Sequence, residues 1–348
     1  MEFQIIRILF FSTLAFIFAI VATPLLTHFL YKYKLGKKIR NNGVTPIFSE
    51  LHAHKAGTPT MGGILIWGTV LILILIFYFL AEFFSGSIFE YFNFLSRGET
   101  LLPLGALVVT ALIGLVDDWL DVRGKGVFGG GGLKLRHRLL IYTLIAIVGA
   151  LWFYFKLDWT LLHIPFFGNF EIGAWYIPIF IFIIVATSFS VNETDGLDGL
   201  AGGTLLIAFA SYGVIAFTMG RYDLATFCAV IIGALLAFLW FNIPPARFYM
   251  GDTGAMSLGV TLGIIAMLTN NALLLIPIGS VFLVESLSVI LQTLSKRIRG
   301  KKIFLSSPIH HHFQAIGWPE AKVVMRFWVI AGIGATIGMI IFLLDKRI

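Results

Sequence analysis

The chain has 348 residues, of which 58% are hydrophobic and only 12% are charged, and its mean hydropathy is +0.93. Water-soluble domains have an apolar share of about 45–50%, so this composition excludes a soluble globular protein and indicates a polytopic membrane protein. The formal net charge is +7, and the single cysteine, Cys228, excludes a disulfide within the chain.

About ten apolar stretches approach the ~20 residues that a helix needs to cross the hydrocarbon of a bilayer. In chain order they are residues 8–30, 61–80, 101–116, 139–155, 176–190, 200–218, 224–241, 255–268, 273–294 and 327–344. The shorter stretches are expected to be tilted, kinked or partly buried among the others. We find no internal repeat and no long linker. The sequence therefore predicts an all-α membrane helix bundle with about ten transmembrane helices, forming a single domain over residues 1–348.

Basic residues are distributed unevenly among the gaps between these stretches. The rich gaps contain Lys32, Lys34, Lys37, Lys38, Arg40, Lys55, Arg123, Lys125, Lys134, Arg136, Arg138, Arg247, Lys296, Arg297, Arg299, Lys301, Lys302, Lys322 and Arg326. The other gaps and the two termini contain only Arg7, Arg97, Lys156, Arg221, Lys346 and Arg347. Because Lys and Arg are retained on the cytoplasmic side, the rich gaps are predicted to be cytoplasmic. With ten spans, both termini are then periplasmic.

The concentrated polar motifs all fall in or beside the predicted cytoplasmic gaps. They are Lys55 with residues 57–60, the pair Asp117 and Asp118, residues 192–198, Asn242, the pair Gly251 and Asp252, and residues 310–312. Once the chain is threaded through a bilayer, these motifs collect on one membrane face. Their coincidence predicts a membrane-embedded catalytic site.

Carboxylates dominate these motifs. Asp121 follows Asp117 and Asp118 at helical spacing, so the three side chains can share a helix face. One such Asp could be an interfacial anchor, but clustered carboxylates near a membrane more often need a cation, and all-oxygen ligation suits Mg²⁺. Asp198 and Asp252 have helix capping as alternative roles.

Three consecutive histidines, His310, His311 and His312, follow the ninth stretch. Successive side chains on a helix point about 100° apart, so a shared zinc ion is disfavoured, and cysteine ligands are absent. Imidazoles on a cytoplasmic loop beside many cations suit phosphate oxygens better, although an ordinary polar loop is the alternative. Carboxylates for Mg²⁺, cations for phosphate and a hydrophobic bundle together favour phosphoryl transfer that involves a lipid.

The motifs and their order resemble those of the polyprenyl-phosphate N-acetylhexosamine-1-phosphate transferases, and the muramyl branch in particular. The most specific elements are residues 55–63 (KAGTPTMGG), the Asp117–Asp118 pair, residues 194–199 (TDGLDG), Asn242 with residues 250–252 (MGD), and residues 308–313 (PIHHHF). The resemblance covers nearly the whole chain.

This resemblance implies Mg²⁺-dependent transfer of phospho-MurNAc-pentapeptide from UDP-MurNAc-pentapeptide to undecaprenyl phosphate. The products would be lipid I and UMP, in the first membrane step of peptidoglycan synthesis. The resemblance also implies that the protein forms a homodimer in the bacterial inner membrane, in contact with membrane lipid. The active site is then expected on the cytoplasmic face. No nucleic-acid partner is expected.

The resemblance also implies roles for individual residues. Asp252 is expected to be the principal Mg²⁺ ligand, and Asp117 and Asp118 the acidic pair that helps to hold the metal or deprotonates the lipid phosphate. His310 is expected to be catalytic and to lie near the diphosphate. The expected substrate-binding residues are Lys55, Thr60, Arg138, Asn192, Asp195, Asp198, Asn242, Tyr249, His311 and His312.

Two alternatives remain open at this level. Asp121 stands where the muramyl branch commonly has Lys, and the resulting Asp-Asp-x-x-Asp pattern is more typical of relatives that use UDP-GlcNAc, so a UDP-GlcNAc:polyprenyl-phosphate GlcNAc-1-phosphate transferase is the closest alternative. A secondary transporter also uses intramembrane carboxylates, but it predicts polar groups near the bilayer midplane and related half-sequences. Glu285, inside the ninth stretch, is expected to face the bundle interior, and we favour a structural role for it.

Overall fold

Long apolar helices make up most of the protein. The structure, a computed structural model, describes residues 1–36, 55, 57–124 and 132–345. Its helices in chain order are α1 (Glu2–Lys32), α2 (Gly63–Phe83), α3 (Phe89–Phe92), α4 (Leu101–Arg123), α5 (Leu135–Lys156), α6 (Tyr176–Thr194), α7 (Leu200–Thr218), α8 (Tyr222–Asn242), α9 (Gly251–Leu268), α10 (Leu275–Ile278), α11 (Ser280–Arg299), α12 (Ile309–Ala315) and α13 (Glu320–Asp345). The motif residue Ala56 and the basic residues Lys37, Lys38, Arg40, Lys125, Lys346 and Arg347 lie outside the described residues.

Nine of the helices in the described part of the chain are long and apolar enough to cross a membrane. They are α1, α2, α4, α5, α6, α7, α8, α9 and α13. The pair α10 and α11 supplies a tenth, broken span. The chain is therefore a multi-pass membrane protein, and the predicted helix bundle of about ten spans is confirmed.

The ninth predicted stretch, residues 273–294, is not one continuous helix. The segments Ala272–Ile278 and Ser280–Arg299 meet at Gly279 with an angle of 84° between them. Beyond the bend, α11 buries a polar face and exposes an apolar one. The buried polar residues are Glu285, Ser286, Ser288, Gln292 and Ser295. Such a helix fits a membrane because its polar side chains face protein while its apolar side chains face lipid.

One small sheet accompanies the helices in the described residues. Strands β1 (Leu161–Ile164) and β2 (Gly168–Glu171) form an antiparallel hairpin between α5 and α6. His163 Nε2 lies 2.6 Å from Asp345 Oδ2, which ties the hairpin to the end of α13. The sequence did not predict this hairpin, because its two strands are only four residues long and do not alternate between polar and apolar residues.

Helix α9 occupies the centre of the bundle. It packs against α4 on one side and α6 on another, and its residues from Thr253 to Leu268 are all buried. The ends of α4 and α6 and the starts of α5 and α9 meet through side-chain contacts of Arg138 and Asn192. The central helix therefore begins at the face where the polar motifs collect.

Helix α1 packs closely against α8 through a glycine. A Cβ atom at Gly233 would lie 2.1 Å from the carbonyl oxygen of Ser12 and 2.9 Å from Cβ of Ala15. Membrane helices associate largely through such close contacts between small residues. In contrast, Gly68 of α2 has no heavy atom within 4 Å of the position that its Cβ would take.

We expect Gly233→Val to lower the free energy of unfolding by about 1–3 kcal/mol, the usual cost of overpacking a close contact. Gly68→Val is the matched control, because it places the same side chain on a helix at an open position. Thermal unfolding of the two purified variants in detergent measures the difference. Equal melting temperatures would show that α1 does not depend on this contact.

Candidate active site

A single guanidinium joins three of the helices that meet at this face. Arg138, in the first turn of α5, donates from Nε to Asp117 Oδ2 at 2.9 Å and from Nη2 to Asp252 Oδ2 at 2.7 Å. Its Nη1 donates to Asn192 Oδ1 at 3.0 Å, and Asn192 Nδ2 donates to Asp252 Oδ1 at 2.6 Å. The structure thus brings together four of the residues that the sequence singled out.

Asp118 faces a different partner from its neighbour Asp117. Its two carboxylate oxygens each accept a backbone N–H at 3.0 Å, one from Asp252 and one from Thr253. These are among the first N–H groups of α9, which have no partner within that helix. Thr60 Oγ1 adds a donor at 3.3 Å. Asp118 therefore caps the central helix and fixes the backbone that carries Asp252.

A second cluster surrounds Lys55. The Lys55 ammonium lies 2.6 Å from Asp198 Oδ1 and 2.5 Å from Glu320 Oε1, and its side chain is 11% exposed. Glu320 Oε1 also accepts the backbone N–H of Asp198 at 2.8 Å, while Asp198 Oδ2 accepts the N–H of Ala246 at 3.0 Å. One cation is therefore shared by two carboxylates, as in the Arg138 cluster.

Asn242 and Tyr249 hold the loop between α8 and α9 beside this second cluster. Asn242 accepts the N–H of Gly199 at 2.9 Å and donates to the carbonyl of Phe248 at 2.9 Å. The ring of Tyr249 has the Lys55 ammonium 6.0 Å from its centroid, a cation–π arrangement. Burial raises the pKa of Tyr249 to about 12, so its hydroxyl stays neutral at pH 7. An aromatic face is thus fixed next to a cation.

The third element of the site is a buried histidine. His310 and Glu285 are both 0% exposed, and His310 Nδ1 lies 2.9 Å from Glu285 Oε2. Burial and the nearby charge of Lys55 lower the pKa of His310 to about 3. Its imidazole is therefore neutral at pH 7 in the structure as it stands.

The remaining predicted site residues lie around these three elements. His311 packs edge-to-face against His310 with ring centroids 4.0 Å apart, and its Nδ1 lies 3.0 Å from Gln314 Oε1. His312 instead accepts the N–H of Leu305 at 3.3 Å, so it meets the preceding loop. Asp195 lies at the C-terminal end of α6, in the turn that leads to Asp198.

The donor set of the first cluster fits a magnesium ion. In the described residues no three His, Cys, Asp or Glu side chains form a ready metal cage. However, Asp117 and Asp252 direct carboxylate oxygens at one shared cation, and Asn192 adds an amide oxygen to the same guanidinium. Mg²⁺ typically binds through one or two carboxylates, with water and substrate phosphates completing its shell. Asp121 lies next to this cluster, since its Oδ1 accepts the N–H of Gly132 at 3.0 Å and Asp117 Oδ1 accepts the N–H of the following residue, Leu133.

The sequence missed Glu320, which shares Lys55 with Asp198. A glutamate just after Pro319 at the start of an apolar helix is ordinary helix-start chemistry. Nothing in its local pattern separates it from such a role. Only the packing of α13 against the turn after α6 reveals the contact.

The chain resembles known transferases along almost its whole length. Residues 100–270 match the family model described as glycosyl transferase family 4, and residues 55–66 match signature 1 of phospho-N-acetylmuramoyl-pentapeptide-transferase. The protein of that name from Chloroflexus aggregans is 39% identical over 346 residues, which cover 96% of this chain and 89% of the relative. Its namesakes from a Geobacillus species and from Listeria monocytogenes are 39% and 40% identical, covering 94% and 93% of this chain and 95% of each relative.

We expect Asp118→Asn to destabilise the folded protein by about 1–3 kcal/mol, because the amide would turn an N–H₂ group toward the N–H groups of α9 or leave one of them unpaired. Asp121→Asn is the matched control on the same helix. The measurement is thermal unfolding of both variants in detergent. An unchanged melting temperature for Asp118→Asn would remove its capping role.

Proposed function

Because the chain belongs to the phospho-N-acetylmuramoyl-pentapeptide transferase family, we propose that it transfers phospho-MurNAc-pentapeptide from UDP-MurNAc-pentapeptide to undecaprenyl phosphate. The products are lipid I and UMP, and the reaction belongs to peptidoglycan synthesis. The observation that carries this proposal is the identity to relatives of that name over nearly the whole chain, with the family signature at residues 55–66.

The proposed reaction is a phosphoryl transfer. An oxygen of the lipid phosphate attacks the β-phosphorus of the nucleotide sugar, the bond from that phosphorus to the bridging oxygen breaks, and UMP leaves with the bond electrons. Such reactions depend mainly on positioning and on stabilising charge. The site suits both needs, since charged side chains are held by neighbouring helices and by backbone N–H groups.

We propose that Asp117 and Asp252 hold Mg²⁺, with Asn192 beside them and Asp118 fixing the backbone of Asp252. When bound, the ion would offset negative charge on the diphosphate and on departing UMP. Charge supports this assignment, because Arg138 and Lys55 are each shared by two carboxylates. If all four carboxylates are ionised, the site has more negative than positive charge and would repel a diphosphate unless a further cation bound with it.

The protein's own cations and rings have distinct proposed tasks. Lys55 binds phosphate oxygens of the nucleotide, once the diphosphate competes with Asp198 and Glu320 for its ammonium. Tyr249, fixed next to Lys55, offers its ring to the uracil base. His310, whose Nε2 lies against Gly196 in the turn between Asp195 and Asp198, has the proposed task of contacting the diphosphate.

We also propose that the protein lies in the inner membrane of a bacterium, with the site on the cytoplasmic face and both termini in the periplasm. The uneven distribution of Lys and Arg supports this orientation. A homodimer remains part of the proposal, through the resemblance alone. The transporter alternative has lost its support, because the relatives are named as transferases and the carboxylates cluster at the helix ends.

The first test of function is UMP release by the purified protein with undecaprenyl phosphate and Mg²⁺. We expect turnover with UDP-MurNAc-pentapeptide and none with UDP-GlcNAc as donor, despite the Asp-Asp-x-x-Asp pattern ending at Asp121. Turnover with UDP-GlcNAc alone would assign the chain to the other branch of the family. No UMP from either donor would refute the proposed activity.

The metal assignment is tested by Asp252→Asn. We expect UMP release to fall by a factor on the order of 10³, because several kcal/mol of transition-state stabilisation depend on the bound ion. Asp158→Asn, an exposed position between α5 and β1, is the control and should leave turnover unchanged. Mg²⁺ titrations of both variants measure the effect. Near-normal activity of Asp252→Asn with an unchanged Mg²⁺ requirement would contradict the assignment.

A further inference from the structure

Glu285 and His310 form an ionisable pair that is completely enclosed by the protein. Both residues are 0% exposed and come from different helices, α11 and α12. Only one atom of each faces the other, Glu285 Oε2 and His310 Nδ1 at 2.9 Å. In the part of the chain that the structure describes, Glu285 Oε1 and His310 Nε2 are buried without a hydrogen-bond partner.

An arrangement of this kind is costly if it serves packing alone. A buried polar atom without a partner costs about 1–3 kcal/mol, and two apolar side chains of similar volume would avoid that cost. The backbone N–H groups of Ile309 and His310 lie near the Glu285 carboxyl group. Of the two unpartnered atoms, His310 Nε2 is the one that lies against a turn of the site.

The unpartnered nitrogen lies against the turn that links the clusters of the site. A Cβ atom at Gly196 would be only 2.2 Å from His310 Nε2. Gly196 follows Asp195, at the end of α6, and precedes Asp198, which binds Lys55. Only a glycine at this position lets the imidazole edge approach the backbone so closely. The Nε2 edge of the ring is thus directed at the turn between Asp195 and Asp198, while Nδ1 faces Glu285.

We propose that Glu285 is a positioning residue for His310: its carboxylate accepts Nδ1–H, fixes the ring with Nε2 toward the turn between Asp195 and Asp198, and balances the proton that Nε2 takes up to donate to a phosphate oxygen of the substrate when the substrate opens this contact. This inference rests on the proposed function, and it replaces the purely structural role expected for Glu285 from the sequence.

The proton balance explains why a carboxylate is needed. In the free protein the imidazole is neutral, with its proton on Nδ1 and a lone pair on Nε2. When an anionic diphosphate enters, one proton from water is added to Nε2. The resulting imidazolium and the Glu285 carboxylate together have no net charge, which avoids burying an uncompensated cation. Of the other ionisable groups, Lys55 opposes this uptake through its positive charge, His311 packs edge-to-face against the His310 ring, and Glu193 of α6 acts on Glu285 through its charge.

The test is a double-mutant comparison of UMP release. We expect Glu285→Leu to lower kcat on the order of 100-fold and Glu285→Gln on the order of 10-fold, by analogy with the range seen when the carboxylate partner of a metal-ligating histidine is lost. Gln keeps an oxygen for Nδ1–H but lacks the charge. In a His310→Ala background, neither change should lower kcat by more than about twofold, because residues that act through one another are not additive.

Ser286→Ala is the matched control on α11. It removes a buried hydrogen bond to Ser190 at 2.7 Å without touching the histidine, so kcat should stay near the wild-type value. The inference is overturned if Glu285→Leu lowers kcat equally in the wild-type and His310→Ala backgrounds, or if Glu285→Leu keeps normal kcat. An equal loss in Ser286→Ala would overturn it too, since helix packing would then account for the effect.

A second readout separates this inference from the proposed function. In protein with ¹⁵N-labelled histidine, the His310 signals are identified by their loss in His310→Ala. We expect a single Nδ1-protonated form in the wild type and a mixture of tautomers in Glu285→Leu. If the wild-type protein releases no UMP, the proposed function fails, whereas the tautomer signature still reports on the pair. A wild-type ring protonated at Nε2 with Nδ1 free would overturn the positioning role.

Discussion

The arrangement of the site depends on the ion pairs and the hydrogen bond made by one group, the guanidinium of Arg138. It lies between Asp117 of α4, Asn192 of α6 and Asp252 of α9. Two carboxylates brought this close in a medium of low dielectric would repel each other strongly without a cation between them. The helix ends can therefore converge only because α5 supplies that cation. The same side chain therefore determines both how the ends of these four helices pack and how the site is arranged.

The same pairing explains what could and could not be predicted from the sequence. Hydropathy and the distribution of basic residues were sufficient to predict the helix bundle and to group Asp117, Asn192 and Asp252, since alternate gaps must share a face. The sequence could not separate Asp117 from Asp118. Their side chains differ by about 100° around the helix, and only the position of α9 decides which one meets Arg138 and which one caps a helix. The bend at Gly279 also depends on tertiary packing, because Gly and Pro are tolerated within many membrane helices.

The hardest residues to assign from the sequence were those whose partners are far away along the chain. Glu320 lies 265 positions from Lys55 along the chain, yet their charged atoms are 2.5 Å apart. Glu285 was conspicuous because a carboxylate inside an apolar stretch is rare, but its partner His310 belongs to another element. In both cases the residue type was visible and the contact was not. Pairing across the bundle, rather than spacing along the chain, assigns these two glutamates.

Because the charged side chains of the site already pair with one another, they restrict which ligands can bind. Lys55 and Arg138 each have two carboxylate neighbours in the free protein, so an incoming diphosphate must displace existing partners and meets net negative charge. A divalent cation held by the carboxylates would remove that obstacle and would leave the basic side chains available for phosphate oxygens. Under the proposed function, metal and nucleotide would therefore assist each other's binding. A neutral or singly charged ligand would gain less from the exchange, so the paired charges would favour a diphosphate that binds together with a metal over simpler anions.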